Sequence, residues 1–255
     1  MAPTPGHRLN DIFKNANEFQ GLGNALAQSY LTRSDCTVVG SVRDETAPGV
    51  AALKSAAAEH NSNLLLVKIE SASDTDAKEA VEEMKVTGID HIDILIANAG
   101  VSPPLVPLET ESLAAIESAF RINALGPLAL YQACHPLLMR SASPKFVAIG
   151  SKAGSIRDMG SDRSWIAPAY CISKSALNWI TVSAHHGNER LISVAVNPGL
   201  VDSDMGNKTA REHLGLEKAP VKMADSADKI VKLFPENSYM PSKARRYRGD
   251  CAAEL

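Results

Sequence analysis

Short β-branched and aliphatic runs alternate with longer stretches of helical periodicity along most of this chain. Thr37–Val42, Leu64–Ile69, Ile92–Ala97, Phe146–Ile149 and Ile192–Val196 read as strands. Between them, Asp74–Val86, Leu113–Arg140 and Tyr170–Ala184 have helical length. Near-continuous apolar strands separated by helices predict a parallel sheet covered on both faces. Right-handed crossovers then give a doubly wound α/β sandwich, expected here as a single Rossmann-like domain over residues 1–255. No repeat, low-complexity tract or linker interrupts the pattern. Two segments fit it less well. Leu9–Asn17 stands where a first strand belongs, yet Asn, Asp and Lys suit a buried central strand poorly. The polar stretch from Gly206 to Lys222 reads equally as a lid over a pocket or as a surface excursion.

Composition narrows the class. The chain has 255 residues, 45% of them hydrophobic, enough to form a core without disulfides or metal. A net charge of −3 and a single basic cluster, Lys243–Arg248, give no surface for nucleic acid or membrane, and that cluster reads as a solvated strand edge. The four cysteines, Cys36, Cys134, Cys171 and Cys251, lack paired metal or redox spacing and read as free thiols. The N-terminus has no apolar core of signal-peptide length, and Leu125–Met139 is broken by Gln132, His135 and Pro136. A cytoplasmic protein is expected. His185–His186 has no partner at ligand spacing, so no metal is expected.

The candidate chemistry lies in Tyr170-Cys-Ile-Ser-Lys174. A spacing of four puts both side chains on one helical face, one turn apart. An ammonium beside a phenol favours the phenolate and is expected to lower the Tyr170 pKa. A tyrosine so tuned exchanges a proton with a carbonyl oxygen or an alcohol. Ser151 follows the strand Phe146–Ile149 at its carboxyl end, where α/β sites are built. Asn98-Ala99-Gly100 follows the strand ending at Ala97, and Asn197-Pro198-Gly199 follows the strand ending at Val196. Asn123 sits inside a predicted helix, where Asn is unfavourable unless its side chain bonds something.

Gly21-Leu-Gly23, Asn98-Ala-Gly100, Asn123, Ser151, Tyr170-x-x-x-Lys174 and Pro198-Gly199 occur in the order typical of the short-chain dehydrogenase/reductase family, which the chain resembles from Gly21 onward. Leu31–Asp44, Arg121–Pro127 and Ser193–Met205 are most similar to fungal ketoreductases of secondary metabolism, of the norsolorinic acid reductase type. The resemblance implies that Tyr170 is the general acid and that Lys174 lowers its pKa and holds the nicotinamide ribose. It implies that Ser151 orients the carbonyl and Asn123 anchors a proton-relay water. Gly21, Gly23, Glu70, Asn98, Gly100, Val201 and Ser203 would line the cofactor site, and the protein would be a homo-oligomer acting on a ketone or alcohol. Arg43, where the second strand runs out, stands where similar family members carry an NADP-selecting Arg and would select NADP over NAD, because a guanidinium suits the 2′-phosphate; Asp44 beside it argues the other way.

The family pattern breaks in three places. The first glycine of the phosphate loop falls near Asn17, and Glu18-Phe19-Gln20 places a carboxylate beside the pyrophosphate site. Three explanations stand for Leu9–Asn17: a poor strand that pairs, an N-terminus that differs in the real chain, or a damaged cofactor site. Glu70 replaces the usual Asp, though its longer arm still reaches an adenine amine. Ser151 and Tyr170 are 19 positions apart, more than usual. The added loop, with Arg157, Asp158, Met159, Arg163 and Trp165, is expected to border the substrate pocket, with Trp165 either stacking on an aromatic substrate or packing. Two functions compete: an NADPH-dependent ketoreductase and a non-catalytic Rossmann-like binding protein.

Overall fold

The computed structural model describes residues 9–14, 21–33, 36–42, 46, 48–162, 164–234 and 253–254. Arg43, Asp44, Asn17–Gln20, Arg163, Lys243–Arg248 and Cys251 lie outside them. Seven parallel strands form one sheet: β1 (Leu9–Lys14), β2 (Cys36–Val42), β3 (Asn63–Lys68), β4 (Ile94–Ala97), β5 (Lys145–Ile149), β6 (Ile192–Asn197) and β7 (Ala253–Glu254). The helices are α1 (Leu22–Leu31), α2 (Pro48–Glu59), α3 (Asp76–Val86), α4 (Leu113–Phe120), α5 (Gly126–Leu138), α6 (Met159–Asp162), α7 (Pro168–His186), α8 (Asp204–His213) and α9 (Met223–Leu233). Strand order is β3-β2-β1-β4-β5-β6-β7. The order reverses direction between β1 and β4, the switch point at which open α/β sheets build their ligand crevice.

Leu9–Lys14 is a strand despite its polar sequence. Its backbone pairs with β2 from Leu9↔Cys36 to Lys14↔Ser41, and with β4 from Asp11↔Ile94 to Lys14↔Ala97. A central strand has two ladders of hydrogen bonds to make. Leaving β2 and β4 unpaired would orphan both, so backbone pairing here overrides side-chain propensity.

The sheet's two faces hold separate cores, and the strand period of two sorts residues between them. Ile94, Ile96, Val147 and Ile149 pack on the side of α1, α2 and α9, with Leu26, Tyr30, Leu53 and Ile230. Leu95, Ala97, Phe146 and Ala148 face the other side, against Met84, Leu130, Leu137 and Leu177 of α3, α5 and α7.

The expected Leu113–Arg140 helix is present in three parts. Between α4 and α5 the backbone widens into a π turn, Arg121–Leu125. Taken whole, Leu113–Leu138 has the length and apolar composition of a membrane span. Here it lies along the sheet and buries Ala119, Asn123, Ala124, Leu130, Cys134, Leu137 and Leu138. Just after the π turn, Gly126 lets α5 approach the β3–α3 loop. A Cβ at Gly126 would lie 2.6 Å from the Ser71 carbonyl oxygen. Alanine is otherwise better than glycine within a helix by about 1 kcal/mol. Gly126→Ala is nevertheless expected to destabilise the fold by about 1–2 kcal/mol, because backbone rather than a flexible side chain must move. Urea denaturation checks this, and an unchanged or higher midpoint would show that the close approach is absent.

Candidate active site

The cleft opens over the carboxyl ends of β4, β5 and β6, has a volume of about 800 Å³, and reaches Gly21 at the start of α1. Gly21 has φ 108°, the left-handed side of the map where glycine is favoured. No side chain caps the first turn of α1 behind it. A helix N-terminus with uncapped N–H groups at a cleft wall suits a phosphate. Asn98, Gly100, Ser151, Tyr170, Lys174, Val201 and Ser203 line the same cleft.

Two expected cofactor residues stand elsewhere. Gly23 is buried within α1 and is not on the cleft wall. Glu70 is not on it either: its Oε1 accepts the Ser71 N–H at 2.9 Å, while its own N–H donates to Asp76 Oδ2 at 2.8 Å. The carboxylate folds back on its own turn because a backbone donor one residue away satisfies it more readily than a distant one. The added loop reaches the cleft through Ser164, Ile166 and Ala167, while Arg157, Asp158, Met159 and Trp165 lie off its wall. Trp165 is 49% exposed and lies off the cleft wall, so it does not pack in the core. The stretch after Gly206 is a wall of the cleft: Asn207, Thr209, His213 and Leu214 line it.

Tyr170 and Lys174 lie in the first turns of α7. The Lys174 ammonium is 5.6 Å from the centre of the Tyr170 ring and donates to the Ile149 carbonyl oxygen at 2.7 Å. Lys174 is 4% exposed, and burial pulls its pKa from 10.5 to about 8. Burial also acts on Tyr170, but upward; a hydrogen bond with Ser151 opposes it, and Cys171 adds a smaller upward push. Tyr170 keeps some open surface while its surroundings are otherwise closely packed. The net displacement is upward, opposite to the lowering expected from the spacing, and loss of water around the phenol is its largest cause. A phenol held this way is protonated at neutral pH and is suited to give a proton. Ser151 also accepts the Ala153 N–H at 3.2 Å, which fixes its hydroxyl at the start of the loop.

Asn123 explains its unfavourable position. Its Oδ1 accepts the Val101 N–H at 2.8 Å, and its Nδ2 donates to the Val101 carbonyl at 2.8 Å and to Ser173 Oγ at 2.9 Å. Ser173 in turn donates to the Tyr170 carbonyl at 2.6 Å. A Cβ on Gly100 would fall 3.2 Å from Asn123 Oδ1 and 3.6 Å from Lys174 Nζ. The three groups thus converge within one side chain's width.

Ser173, Val101 and Gly154 escaped the sequence reading. Ser173 was findable, because it lies three residues after Tyr170 on the same helical face. Gly154 was not: a Cβ there would lie 2.8 Å from the Lys174 carbonyl carbon, an approach that only the folded loop creates. The Asn197-Pro-Gly199 turn holds Gly199 at φ 79°, and Gly199 N–H donates to Asn197 Oδ1 at 3.3 Å. Ser203 caps α8 by accepting the Gly206 N–H at 3.2 Å. His185 Nδ1 pairs with the Leu191 carbonyl at 3.0 Å, and among the described residues no cluster of three or more His, Cys, Asp or Glu could hold a metal.

The displacement of Lys174 has a measurable sign. Its folded pKa lies below its unfolded one, so between pH 8 and 10.5 the unfolded chain binds more protons, and stability from this group rises with pH. Charging it in the fold costs about 3 kcal/mol at pH 7. Lys174→Met removes that cost and loses an ammonium hydrogen bond of about 1.5–3 kcal/mol. The variant is expected to be about 1 kcal/mol more stable than wild type at pH 7, with the gap closing as pH rises from 8 to 10.5. A gap that stays constant across that range would show that the amine is solvated.

The comparisons with known proteins agree with this geometry. Residues 18–214 match the family model described as short chain dehydrogenase. A short-chain dehydrogenase of Neurospora crassa is 45% identical over 217 residues, 84% of this chain and 85% of that protein. A norsolorinic acid ketoreductase of Dothistroma septosporum is 35% identical over 241 residues, 91% and 89% of the two chains. Among solved structures, NADPH-bound carbonyl reductase from chicken fatty liver superposes with a TM-score of 0.74 at 25% identity, over 88% of this chain and 86% of that one. A match over most of the chain to the family model, together with relatives well above 30% identity, shows that this chain belongs to the short-chain dehydrogenase family of oxidoreductases.

Proposed function

We propose that the protein is an NADP(H)-dependent ketoreductase that reduces a ketone to a secondary alcohol, with residues 1–255 acting as one cofactor-binding and catalytic domain. The observation that carries this is the grouping of Ser151, Tyr170 and Lys174 on one cleft, with the Ser151 hydroxyl bonded to the phenol and the ammonium on the same face of α7. The nicotinamide, when bound, supplies hydride to the carbonyl carbon. Gly21 and the open first turn of α1 suit its phosphates; Lys174 suits its nicotinamide ribose, and Asn98 and Gly100 its adenosine side; Val201 and Ser203 lie on the same wall. Ser151 would hold the substrate carbonyl oxygen, polarise it and point it at Tyr170, whose proton completes the alcohol. Lys174 stabilises the phenolate left behind, and Asn123, with its side chain saturated by Val101 and Ser173, keeps the adjoining backbone fixed for reprotonation.

The resemblance to norsolorinic acid ketoreductases supports a role in fungal secondary metabolism, with a cytoplasmic homo-oligomer as the working form. The sequence Asn17–Gln20, without glycine and carrying Glu18, favours a second reading as a non-catalytic binding protein. A fluorescence titration with NADPH separates the two: saturable binding supports the enzyme, and none supports the alternative.

Tyr170→Phe is expected to lower ketone reduction by about a hundred- to ten-thousandfold while leaving the melting temperature near that of wild type. Because the phenol is displaced upward, reduction should hold through neutral pH and fall as pH rises through the Tyr170 pKa, whereas alcohol oxidation should rise there. A Phe variant with near-normal turnover would remove Tyr170 from the mechanism.

Arg43 is the proposed selector of NADP. Arg43→Ala is expected to weaken NADPH at least tenfold more than NADH, since it removes a charge-assisted contact specific to the 2′-phosphate. Equal loss for both cofactors, measured by titration, would reject the assignment.

A further inference from the structure

The added loop between Ser151 and Tyr170 brings one polar side chain to the cleft for which the fold has no use. Ser164 lines the cleft and is 8% exposed. Its carbonyl oxygen is held twice, by the Cys171 thiol at 3.1 Å and by the Ala167 N–H at 3.1 Å. Cys171 is the residue after Tyr170, so these bonds fix Ser164 beside the candidate proton donor. Its hydroxyl, by contrast, is buried and has no hydrogen-bond partner among the described residues. Leaving a buried hydroxyl unpaired costs about 1–3 kcal/mol, and native folds rarely tolerate it without a reason. The cleft as a whole is largely apolar, with Leu105, Ile166, Leu200 and Met223 among its lining residues beside polar ones such as Ser102 and Asn207. One rotation about χ1, a staggered change open to any serine, re-aims the hydroxyl without moving the pinned backbone.

We propose that Ser164 is a substrate-specificity residue whose hydroxyl pairs with a second polar group, a hydroxyl, on an otherwise apolar ketone. This rests on the ketoreductase reading above and adds the substrate class to it. A largely apolar cleft with a few convergent hydrogen-bonding groups binds a largely hydrophobic molecule and fixes its orientation through those groups, and Ser164 is the one whose hydroxyl the fold leaves unpaired. A ketone lacking the hydroxyl leaves Ser164 unpaired and gains nothing from it. A ketone with a charged group in that position would lose its hydration for a neutral partner, which disfavours it.

The test compares wild type and Ser164→Ala on 1-tetralone and its 5-, 6-, 7- and 8-hydroxy derivatives with NADPH. Wild type is expected to prefer at least one hydroxylated isomer over 1-tetralone in kcat/KM, by about three- to tenfold, the range of one net hydrogen bond. In Ser164→Ala that preference is expected to vanish while the rate on 1-tetralone stays within twofold. The variant should also melt no lower than wild type, because it loses an unpaired group rather than a bond. Loss of activity on all five ketones alike, a preserved preference in the variant, no preference in wild type, or a lowered melting temperature would each overturn the proposal. Wild type that binds NADPH yet turns over none of the five, with hydroxylated and plain tetralones competing equally for the cleft by thermal shift, overturns it as well and speaks against the ketoreductase reading. Activity without discrimination speaks against Ser164 alone.

Discussion

The Lys174 ammonium is buried beneath the carboxyl edge of the sheet, and the bond it makes there organises the candidate site. A buried cation needs an acceptor, and the Ile149 carbonyl, at the last residue of β5, supplies one at 2.7 Å. That contact holds the first turns of α7 against the end of β5. It sets where Ser151 emerges, two residues further on, and where Tyr170 stands, one helical turn earlier. The same closeness demands glycine at Gly154, where any Cβ would press on the Lys174 backbone, and leaves little room at Gly100 beside the ammonium.

Burial then acts on the two ionisable groups in opposite directions on the pH scale but with one physical cause. Removing water disfavours charge, so the lysine is drawn toward neutrality and the tyrosine away from phenolate. Both groups end closer to their neutral forms than an exposed pair would. The phenol retains its proton for donation, and Ser151 provides the opposing hydrogen bond. An attraction inferred from spacing alone omits this desolvation, which is the largest cause of the upward displacement of Tyr170.

The π turn at Arg121–Leu125 shows how a local irregularity serves the site. Asn123 bonds across to Val101 and to Ser173, so its side chain links the β4 exit loop, the α4–α5 helix and α7. A regular helix would place that side chain one register off. Widening the helix by a residue costs ladder hydrogen bonds locally and is found mostly where function requires it.

The strand and helix pattern, the parallel sheet and the identity of Ser151, Tyr170, Lys174 and Asn123 as candidates were legible in the residues themselves, because near-continuous apolar runs and one-turn spacing are local properties. The sequence also flagged Asn123 as needing a partner, though not which one. Tertiary structure alone decided the rest. It made Leu9–Lys14 a central strand, because two neighbouring ladders required a partner that propensity argued against. It turned Glu70 onto its own backbone, moved the loop's contribution from Trp165 to Ser164 and Ile166, and reversed the expected direction of the Tyr170 pKa. Each of these depends on what lies across the cleft or on how much water is excluded, and neither is written in the spacing of residues along a chain.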